Sequence, residues 1–416
     1  MKTQEYIQLI KDYSKENYMQ MTRPAEGNLK YPFIVPGSKS YSNCLWDWDC
    51  WLTDVAVRQI MADNDNENQD FAECEKGSVL NFLLHTREDG AMPITITPDS
   101  LAVWQPGEKR GNIHKPCIAQ HIAFQKKNGA DIAWVKPYLD RLKSFIGYYN
   151  TNCYHEKTGL YYWNDDERIG VDNDPCTFYR PDNSSASIYL NCLMYKELCA
   201  METICKSLED SDSAAYAEMA EKLKNAVNTH LWDERNGFYY SADLNLRPVD
   251  PNETLHQGMP RHWDCVLQKI DVWSGFMAMW AGIADADRAE RMVKENMENT
   301  RIFRGKYGIR SLSALEPMYC IVKSGNPSCW LGPIWGITNY MCFKGLADYG
   351  FDEEAKKLAL ATIELFGRDL EDCGELHEYY HPDTGAGVNN PGFQNWNLLV
   401  NNMIAYLENR KRIIEF

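Results

Sequence analysis

Three short segments of the sequence combine carboxylates with aromatic rings or turn-forming residues: residues 46–51 (WDWDCW), 170–175 (GVDNDP) and 378–385 (EYYHPDTG). Two carboxyl groups at one site can serve as general acid and general base, and indole rings offer apolar faces on which a sugar can stack. Alternating carboxylates and indoles could hold a sugar, with the carboxylates on its hydroxyls and the rings on its apolar face. Each segment alone also fits a structural role, as a helix cap, an Asx turn or a solvated turn.

Residues 377–381 read HEYYH and therefore also match H-E-x-x-H, a zinc-binding pattern of metallopeptidases. That pattern binds zinc only on a helix, where both imidazoles lie on one face. Here Pro382 disfavours a helical residue before it, the paired tyrosines favour extended structure, and Asp383-Thr384-Gly385 favours a turn. A zinc peptidase is therefore the least favoured interpretation, and we expect no metal.

The 416-residue chain is 44% apolar and contains 13 tryptophans and 24 tyrosines. This composition supplies a large core, and the aromatic excess mildly favours a carbohydrate site. The formal net charge of −16 disfavours nucleic acid and anionic membrane surfaces as partners. We expect a small-molecule carbohydrate as the partner, and the oligomeric state stays open.

The 14 cysteines are scattered, form no CxxC pair and often lie in apolar helical stretches, which favours reduced thiols. Residues 1–18 are charged throughout and lack the apolar core of a signal peptide. No stretch is long and apolar enough to span a membrane. The sequence thus predicts a cytoplasmic protein and, in the absence of a convincing linker, one domain over residues 1–416.

Glycine turns next to aromatic pairs recur along the chain, at Gly159 and Gly237, with a third glycine turn at Gly385. Weaker candidates at Gly90 and Gly308 extend the series to a spacing of roughly 70–80 residues, which suggests a repeat. Apolar periodicity predicts pairs of helices between these turns. The pairs are 116–127 with 131–149, 190–204 with 211–227, 271–284 with 287–298, and 333–349 with 352–366.

A final predicted helix over residues 395–410 would pair with the N-terminal helix and close a circle. Short strands are predicted at the turns, near residues 94–97, 160–163 and 238–241. Antiparallel helices joined by short loops pack most simply against their neighbours. The sequence therefore predicts an all-α fold, an (α/α)6 toroid of six helical hairpins with short β-hairpins in the connecting loops.

Together, and in this order, the polar segments resemble those of glycoside hydrolase family 63, a family of inverting (α/α)6 glycosidases with trehalases as relatives. Residues 170–175 resemble the family pattern S-G-x-D-N-S-P, whose aspartate is the general acid. Residues 378–385 resemble E-N-Y-N-P-x-T-G, whose glutamate is the general base. The resemblance implies Asp172 as the acid and Glu378 as the base, with Glu375 as the fallback base.

Further motifs resemble the parts of the family that hold the sugar. Residues 330–335 (WLGPIW) resemble W-R-G-P-I-W, residues 46–51 resemble W-D-x-x-F, and residues 392–396 resemble G-F-G-W. The implied substrate-binding residues are Trp46, Asp47, Trp48, Asp49, Asn173, Trp330, Gly332, Trp335 and Trp396. The register of the first segment is open between its two aspartates.

The sequence also departs from the family patterns at several positions. Leu331 replaces the arginine of W-R-G-P-I-W, Asp174 replaces the serine of the acid loop, and Gln394-Asn395 replaces a glycine. The loss of the arginine removes a possible polar contact with the substrate.

The resemblance implies an inverting, α-glucosidase-like hydrolase that needs no metal or cofactor. Its substrate would be a small α-glucoside or α-mannoside, either a disaccharide or a glycosyl-glycerate. Arg180 and Tyr179, after the acid loop, are candidates to reach the leaving group. The alternative is a non-hydrolytic sugar-binding or epimerase-like toroid, for which His256 and His262 would be the residues to consider.

Overall fold

The computed structural model describes residues 2–65, 68–247, 252, 261–321 and 328–416. Within these residues the chain forms twelve α-helices joined by loops and short antiparallel strand pairs. The helices are α1 Lys2–Asn17, α2 Asp47–Asp63, α3 Gln69–Leu84, α4 Ile118–Lys127, α5 Leu139–Asn152, α6 Ile188–Ser207, α7 Ser213–His230, α8 Met277–Trp280, α9 Ala286–Arg291, α10 Gly336–Asp348, α11 Asp352–Cys373 and α12 Val400–Leu407.

Shorter helical turns extend or connect several of these helices. They are the 3₁₀ turns Tyr18–Met21, Lys39–Tyr41, Ala133–Tyr138, Trp273–Phe276 and Asn395–Leu399, and the π turn Met292–Met297.

The strands are two or three residues long, and all of their pairings are antiparallel. The two-stranded pairs are Thr22–Arg23 with Phe33–Ile34, Leu45–Trp46 with Thr95–Ile96, Tyr154–His155 with Leu160–Tyr161, Trp232–Asp233 with Phe238–Tyr239, Arg304–Gly305 with Gly308–Ile309, and Ile334–Trp335 with Tyr379–Tyr380. The one three-stranded sheet in the described chain places Ser241–Asp243 between Ser185–Ala186 and Val266–Gln268.

The even-numbered helices form an inner ring in which each contacts the next, and α12 contacts α2 to close the circle. Most residues of the longer inner helices are buried, and in α10 every residue from 336 to 346 is buried. The odd-numbered helices lie outside. A helix such as α11, with one buried stripe and many charged exposed residues, suits that position. The predicted (α/α)6 toroid is confirmed.

Some helices of the structure are shorter than the apolar periodicity of the sequence predicts. Residues 271–284 form only the 3₁₀ turn Trp273–Phe276 and the single turn α8, and Gly282 ends the segment with φ +74°. Gly275 packs so closely that a Cβ there would lie 2.4 Å from the ring of Phe238. Helix α10 begins at Gly336 because Ile334–Trp335 pairs as a strand with Tyr379–Tyr380.

Residues 410–416 cross the end of the ring that lies away from the strand-helix junctions of α2 and α10. The Glu415 carboxylate is buried there and accepts hydrogen bonds from Trp280 Nε1 and Tyr340 OH, both at 2.6 Å. The backbone N–H of Ile413 donates to Gln59 Oε1 at 2.7 Å. This end of the ring is filled by side chains. Among the described residues, no helix has both the length and the apolar composition to cross a membrane.

Candidate active site

A cavity of about 80 Å³ opens where the segments that precede α2, α6, α10 and α12 meet. The described residues that line it are Tyr41, Trp46, Asp49, Gly170, Asp172, Ser328, Trp330, Trp335, Glu378, Phe393 and Trp396. Three of these are carboxylic acids and five carry large aromatic rings of tryptophan or phenylalanine. Segments far apart in sequence therefore converge on one acidic, aromatic site.

Most of the residues predicted from the sequence lie at this cavity. Both proposed catalytic carboxyls line it, together with five of the predicted sugar-binding residues: Trp46, Asp49, Trp330, Trp335 and Trp396. The structure places Asp47, Trp48, Asn173 and Gly332 outside the lining. Trp48 and Asn173 contact the lining residues Trp396 and Trp330, whereas Asp47 pairs with Lys115 and the N–H of Gly332 donates to Ser311. Glu375 is exposed and lies outside the lining as well.

Glu378 immediately precedes the strand Tyr379–Tyr380 and is 4% exposed. Its Oε1 accepts a hydrogen bond from Tyr41 OH at 3.1 Å, and its Oε2 accepts from Asn389 Nδ2 at 3.0 Å and from Asn390 Nδ2. Burial raises the pKa of Glu378 to about 7, the three donors oppose that shift, and the charge of Asp172 adds to it. The carboxylate is thus held as a hydrogen-bond acceptor and titrates near neutral pH.

The loop that carries Asp172 is fixed by its neighbours. Asn173 Oδ1 accepts from the backbone N–H of Trp330 at 2.7 Å, and Asp174 accepts from Thr177 Oγ1 at 3.1 Å. Gly170 has φ +87°, and a Cβ there would lie 2.5 Å from Cε of Lys115. These contacts join the loop to the aromatic segment around Trp330 and to the floor of the site.

Asp47 and Asp49 differ sharply in their surroundings. Lys115 Nζ lies 2.8 Å from Asp47, and both side chains are almost completely buried. Burial alone would raise the pKa of Asp47, but the adjacent ammonium holds it below its usual value. Burial, followed by the charge of Asp47, raises the pKa of Asp49 to about 8, and Asn395 donates to its carboxyl. Asp49 lines the cavity, whereas Asp47 forms an ion pair with Lys115 outside the lining.

The aromatic wall is built from tryptophans that contact one another. Trp330 and Trp335 stack with ring centroids 4.0 Å apart at an interplanar angle of 7°, and Trp48 packs edge-on against Trp396 at 5.1 Å. The indole N–H groups of Trp46 and Trp396 are buried and have no hydrogen-bond partner in the described part of the chain. Both residues line the cavity.

The HEYYH segment is not helical. Tyr379–Tyr380 is a strand, Asp383 and Thr384 donate their backbone N–H groups to His381 Nδ1, and His377 Nδ1 lies 2.9 Å from Asp369. The two histidines therefore do not share a helix face. The prediction of a non-helical segment is confirmed, and the geometry that the zinc pattern requires is absent from these residues.

Sequence reasoning missed several residues and misplaced others. Tyr41 lies in a 3₁₀ turn without periodicity, and Asn389-Asn390 looks like an ordinary turn next to Pro391. Asn389 and Asn390 lie close to the base motif in sequence, and Tyr41 lies close to residues 46–51. Tyr179 is 86% exposed, and Arg180 pairs with Asp243, so neither lines the cavity.

Of the two histidines considered for an epimerase-like activity, only His262 falls in the described part of the chain, and it does not line the cavity. His262 is exposed, and His256 lies outside the described residues.

A model of one protein family, described as the mannosylglycerate hydrolase MGH1-like glycoside hydrolase domain, matches residues 76–396. The chain is 27% identical over 166 residues to a mannosylglycerate hydrolase from Thermus thermophilus, which covers 39% of this chain and 32% of that protein. It is 24% identical to a probable trehalase from Saccharomyces cerevisiae over 92% of this chain and 54% of that protein. The chain therefore spans about a third to a half of the length of these relatives.

Among solved structures, a family 63 mannosylglycerate hydrolase from Thermus thermophilus, in complex with Tris and D-glycerate, is similar with a TM-score of 0.69. The sequences are 18% identical, and the match covers 94% of this chain and 99% of that chain. At this identity the likeness shows a common fold.

Proposed function

The chain belongs to the mannosylglycerate hydrolase MGH1-like glycoside hydrolase family, and we propose that it is an inverting glycosidase that cleaves a small α-linked glucoside or mannoside. Its class as a glycoside hydrolase follows from the family and confirms the resemblance in the sequence. The substrate, the α-glucosidase-like preference and the residue roles are the proposal. The observation that carries it is the convergence of Asp172 and Glu378 on one aromatic cavity.

In this proposal Glu378 is the general base. The hydroxyl of Tyr41 and the side-chain amides of Asn389 and Asn390 donate hydrogen bonds to the two carboxyl oxygens of Glu378. Because donors stabilise the negative charge, they favour the ionised carboxylate. A pKa of about 7 is well matched to proton abstraction from water at neutral pH. In an inverting enzyme this water occupies the gap of about 6.5–9.5 Å between the two carboxyl groups.

Asp172 is the proposed general acid, which protonates the departing glycosidic oxygen. Because Asp172 and Glu378 face one cavity, ionising both carboxyls together is unfavourable. The proposed roles require Asp172 to hold the proton while Glu378 is ionised, as in other acid–base pairs of carboxyls.

The remaining lining residues are proposed to hold the sugar. Asp49 and the indole N–H groups of Trp46 and Trp396 would contact hydroxyls, and the stacked pair Trp330 and Trp335 would form an apolar wall. Asp47, Trp48, Asn173 and Gly332 are proposed to position these groups from behind. No step needs a cofactor.

We also propose that the leaving group is neutral. The described residues of the lining include Asp49, Asp172 and Glu378 but no lysine, arginine or histidine. The family arginine is replaced by Leu331, which is 6% exposed. An anionic leaving group such as glycerate would meet like charge there, which favours a neutral glycoside such as a disaccharide.

The test is a panel of α-linked disaccharides and α-glycosides of glycerol and glycerate, with the product anomer followed by NMR. The proposal expects the β anomer to be the first product from an α-linked substrate. An α product would overturn the inverting mechanism, and an epimerised sugar without hydrolysis would favour the non-hydrolytic alternative.

A further inference from the structure

On the outer wall of the ring, α11, the first turns of α1 and the strand pair Arg304–Gly305 with Gly308–Ile309 enclose a groove of about 680 Å³. Its polar lining comprises five cationic side chains, one carboxylate and a few uncharged groups. The cations are Lys2, Arg304, Lys306, Lys357 and Arg368, and the carboxylate is Glu364. On a chain with a formal net charge of −16, this is a local reversal of sign.

Most of these cations are not neutralised by a neighbouring carboxylate. Lys2 pairs with Glu371 at 3.2 Å, and Arg304 pairs with Glu298 at 3.9 Å. Within the ranges that the structure describes, the charged nitrogens of Lys306, Lys357 and Arg368 have no carboxylate oxygen within the 4.0 Å of an ion pair. The groove therefore holds an excess of positive charge that an anion could neutralise.

Unlike the exposed lysines of the groove, Arg304 is largely buried. Its side chain is only 13% exposed, and its Nη1 is 3.9 Å from Glu298, beyond hydrogen-bond distance. Nη1 is buried without a hydrogen-bond partner among the described residues. The distant carboxylate of Glu298 leaves this buried guanidinium donor without a hydrogen-bonded acceptor, which is unfavourable.

We propose that this groove binds a small molecule that carries a phosphate group. A phosphate presents several strong acceptor oxygens and up to two negative charges, and both the planar fork of arginine and the point charge of lysine suit it. Arg304 would anchor it from within, while Lys306, Lys357 and Arg368 would surround it. Tyr6 and Leu360 give the groove an apolar side for the rest of the ligand.

The groove also contacts the hairpin that carries Glu378. Arg368 Nη1 donates to Tyr307 OH and to the backbone oxygen of Thr384, the latter at 3.5 Å. The ring of Tyr307 packs on Gly385, where a Cβ would lie 2.9 Å away. At the other end of this hairpin, the N–H of Glu378 donates to the backbone oxygen of Asn389 at 2.9 Å. A ligand on Arg368 would thus restrain the turn of the hairpin.

The test is isothermal titration of the full chain with inorganic phosphate, pyrophosphate and a hexose 6-phosphate, at constant ionic strength set with sodium chloride. We expect saturable binding of at least one of them. The double variant Lys306→Gln/Lys357→Gln should weaken it about tenfold, as the loss of two charge contacts implies. The matched control is Lys206→Gln/Lys222→Gln, which removes two exposed lysines on α6 and α7.

Two results would overturn the proposal: no saturable binding of any probe up to about 10 mM, or binding that is as strong in the groove variant as in the control. The second result would place the ligand elsewhere, including the sugar cavity. Backbone hydrogen exchange over residues 379–388 tests the link to the hairpin, because a bound ligand should slow it in the wild type and not in the groove variant. Unchanged exchange with bound ligand would overturn that link.

Discussion

The candidate active-site cavity and the outer groove both contact one hairpin, residues 378–389, but their lining residues carry opposite charge. Glu378 places one end of the hairpin in a cavity with three carboxylic acids and, among its described lining residues, no cation. The turn at Thr384-Gly385 contacts Arg368 and Tyr307 beside a groove with five cations. The net charge of the chain therefore does not indicate which ligands it binds, because acidic and basic side chains are concentrated in different regions of the surface.

The largest expected effect comes from neutralising the acids of the cavity. Glu378→Gln and Asp172→Asn should each lower kcat by about 10²–10⁴-fold, the usual contribution of a general acid or base. An aryl glycoside, whose leaving group needs no proton, should restore much of the activity of Asp172→Asn and none of that of Glu378→Gln. Steady-state kinetics measure both effects.

Glu375→Gln is the control for these variants, because Glu375 is exposed and only three residues away. It should keep wild-type kinetics. If Glu375→Gln loses activity while Glu378→Gln keeps it, the two glutamates exchange roles.

A smaller effect is expected from charge on the leaving group. For the same sugar, kcat/KM should be at least about tenfold higher for a glycosyl-glycerol than for the matching glycosyl-glycerate, because the acidic cavity repels a carboxylate. Leu331→Arg should narrow this ratio, whereas Leu331→Met should leave it unchanged. A wild-type preference for the glycerate would contradict the neutral leaving group without contradicting hydrolysis.

The pH dependence should report on Glu378. Since the base must be ionised, kcat/KM should fall as pH decreases through about 7. Tyr41→Phe removes a hydrogen bond to the charged form, so it should raise the pKa of Glu378 and move this limb to higher pH by up to about one unit. A pH–rate profile measures the shift, and a limb that moves to lower pH would contradict the assignment.

Stability should follow the same titration. Burial raises the pKa of Glu378 from 4.5 to about 7, so its stabilising contribution is complete below pH 4.5 and is lost as pH rises through 7. Glu378→Gln cannot ionise, so its free energy of unfolding lacks this pH dependence. Between pH 4 and pH 8, the difference in unfolding free energy between the variant and the wild type should shift by up to about 3 kcal/mol in favour of the variant. Thermal melts at both pH values test this, and Glu375→Gln should show no such trend.

The smallest effect is expected at the groove. Without an added anion, Lys306→Gln/Lys357→Gln should keep kcat and KM within about twofold of the wild type, since exposed charges contribute little on their own. A large loss of basal turnover would show that the groove and the cavity are not separable.

Much of the architecture could be predicted because apolar periodicity marks long helices such as α6 and α11. The strands at Leu160–Tyr161 and Phe238–Tyr239 also lie where the glycine turns predicted them. The helix near residue 275 was predicted too long, because Gly282 ends the segment with φ +74° and Gly275 packs against Phe238 in a 3₁₀ turn. The one-domain organisation and the cytoplasmic location stay predictions.

The candidate site was only partly predictable. The choice between Asp47 and Asp49 depends on Lys115, which lies 68 residues along the chain from Asp47 and shows no motif. Burial separates Glu378 from Glu375, and only the folded hairpin sets that burial. Tyr41 and the two asparagines reach Glu378 from turns whose sequences are common in loops. Long-range contacts, rather than local propensity, select these groups.

Within the described residues, the buried carboxylate of Glu415, held by Trp280 and Tyr340, fills the end of the ring that lies away from the cavity. A glycan chain cannot pass through a ring that is closed at one end, so it would enter the cavity with one end first and leave by the same route. Under the proposed function, the enzyme would remove the terminal unit of its substrate and would not cut within a long polymer. Its rate on oligosaccharides should therefore depend on the identity of the end sugar far more than on chain length.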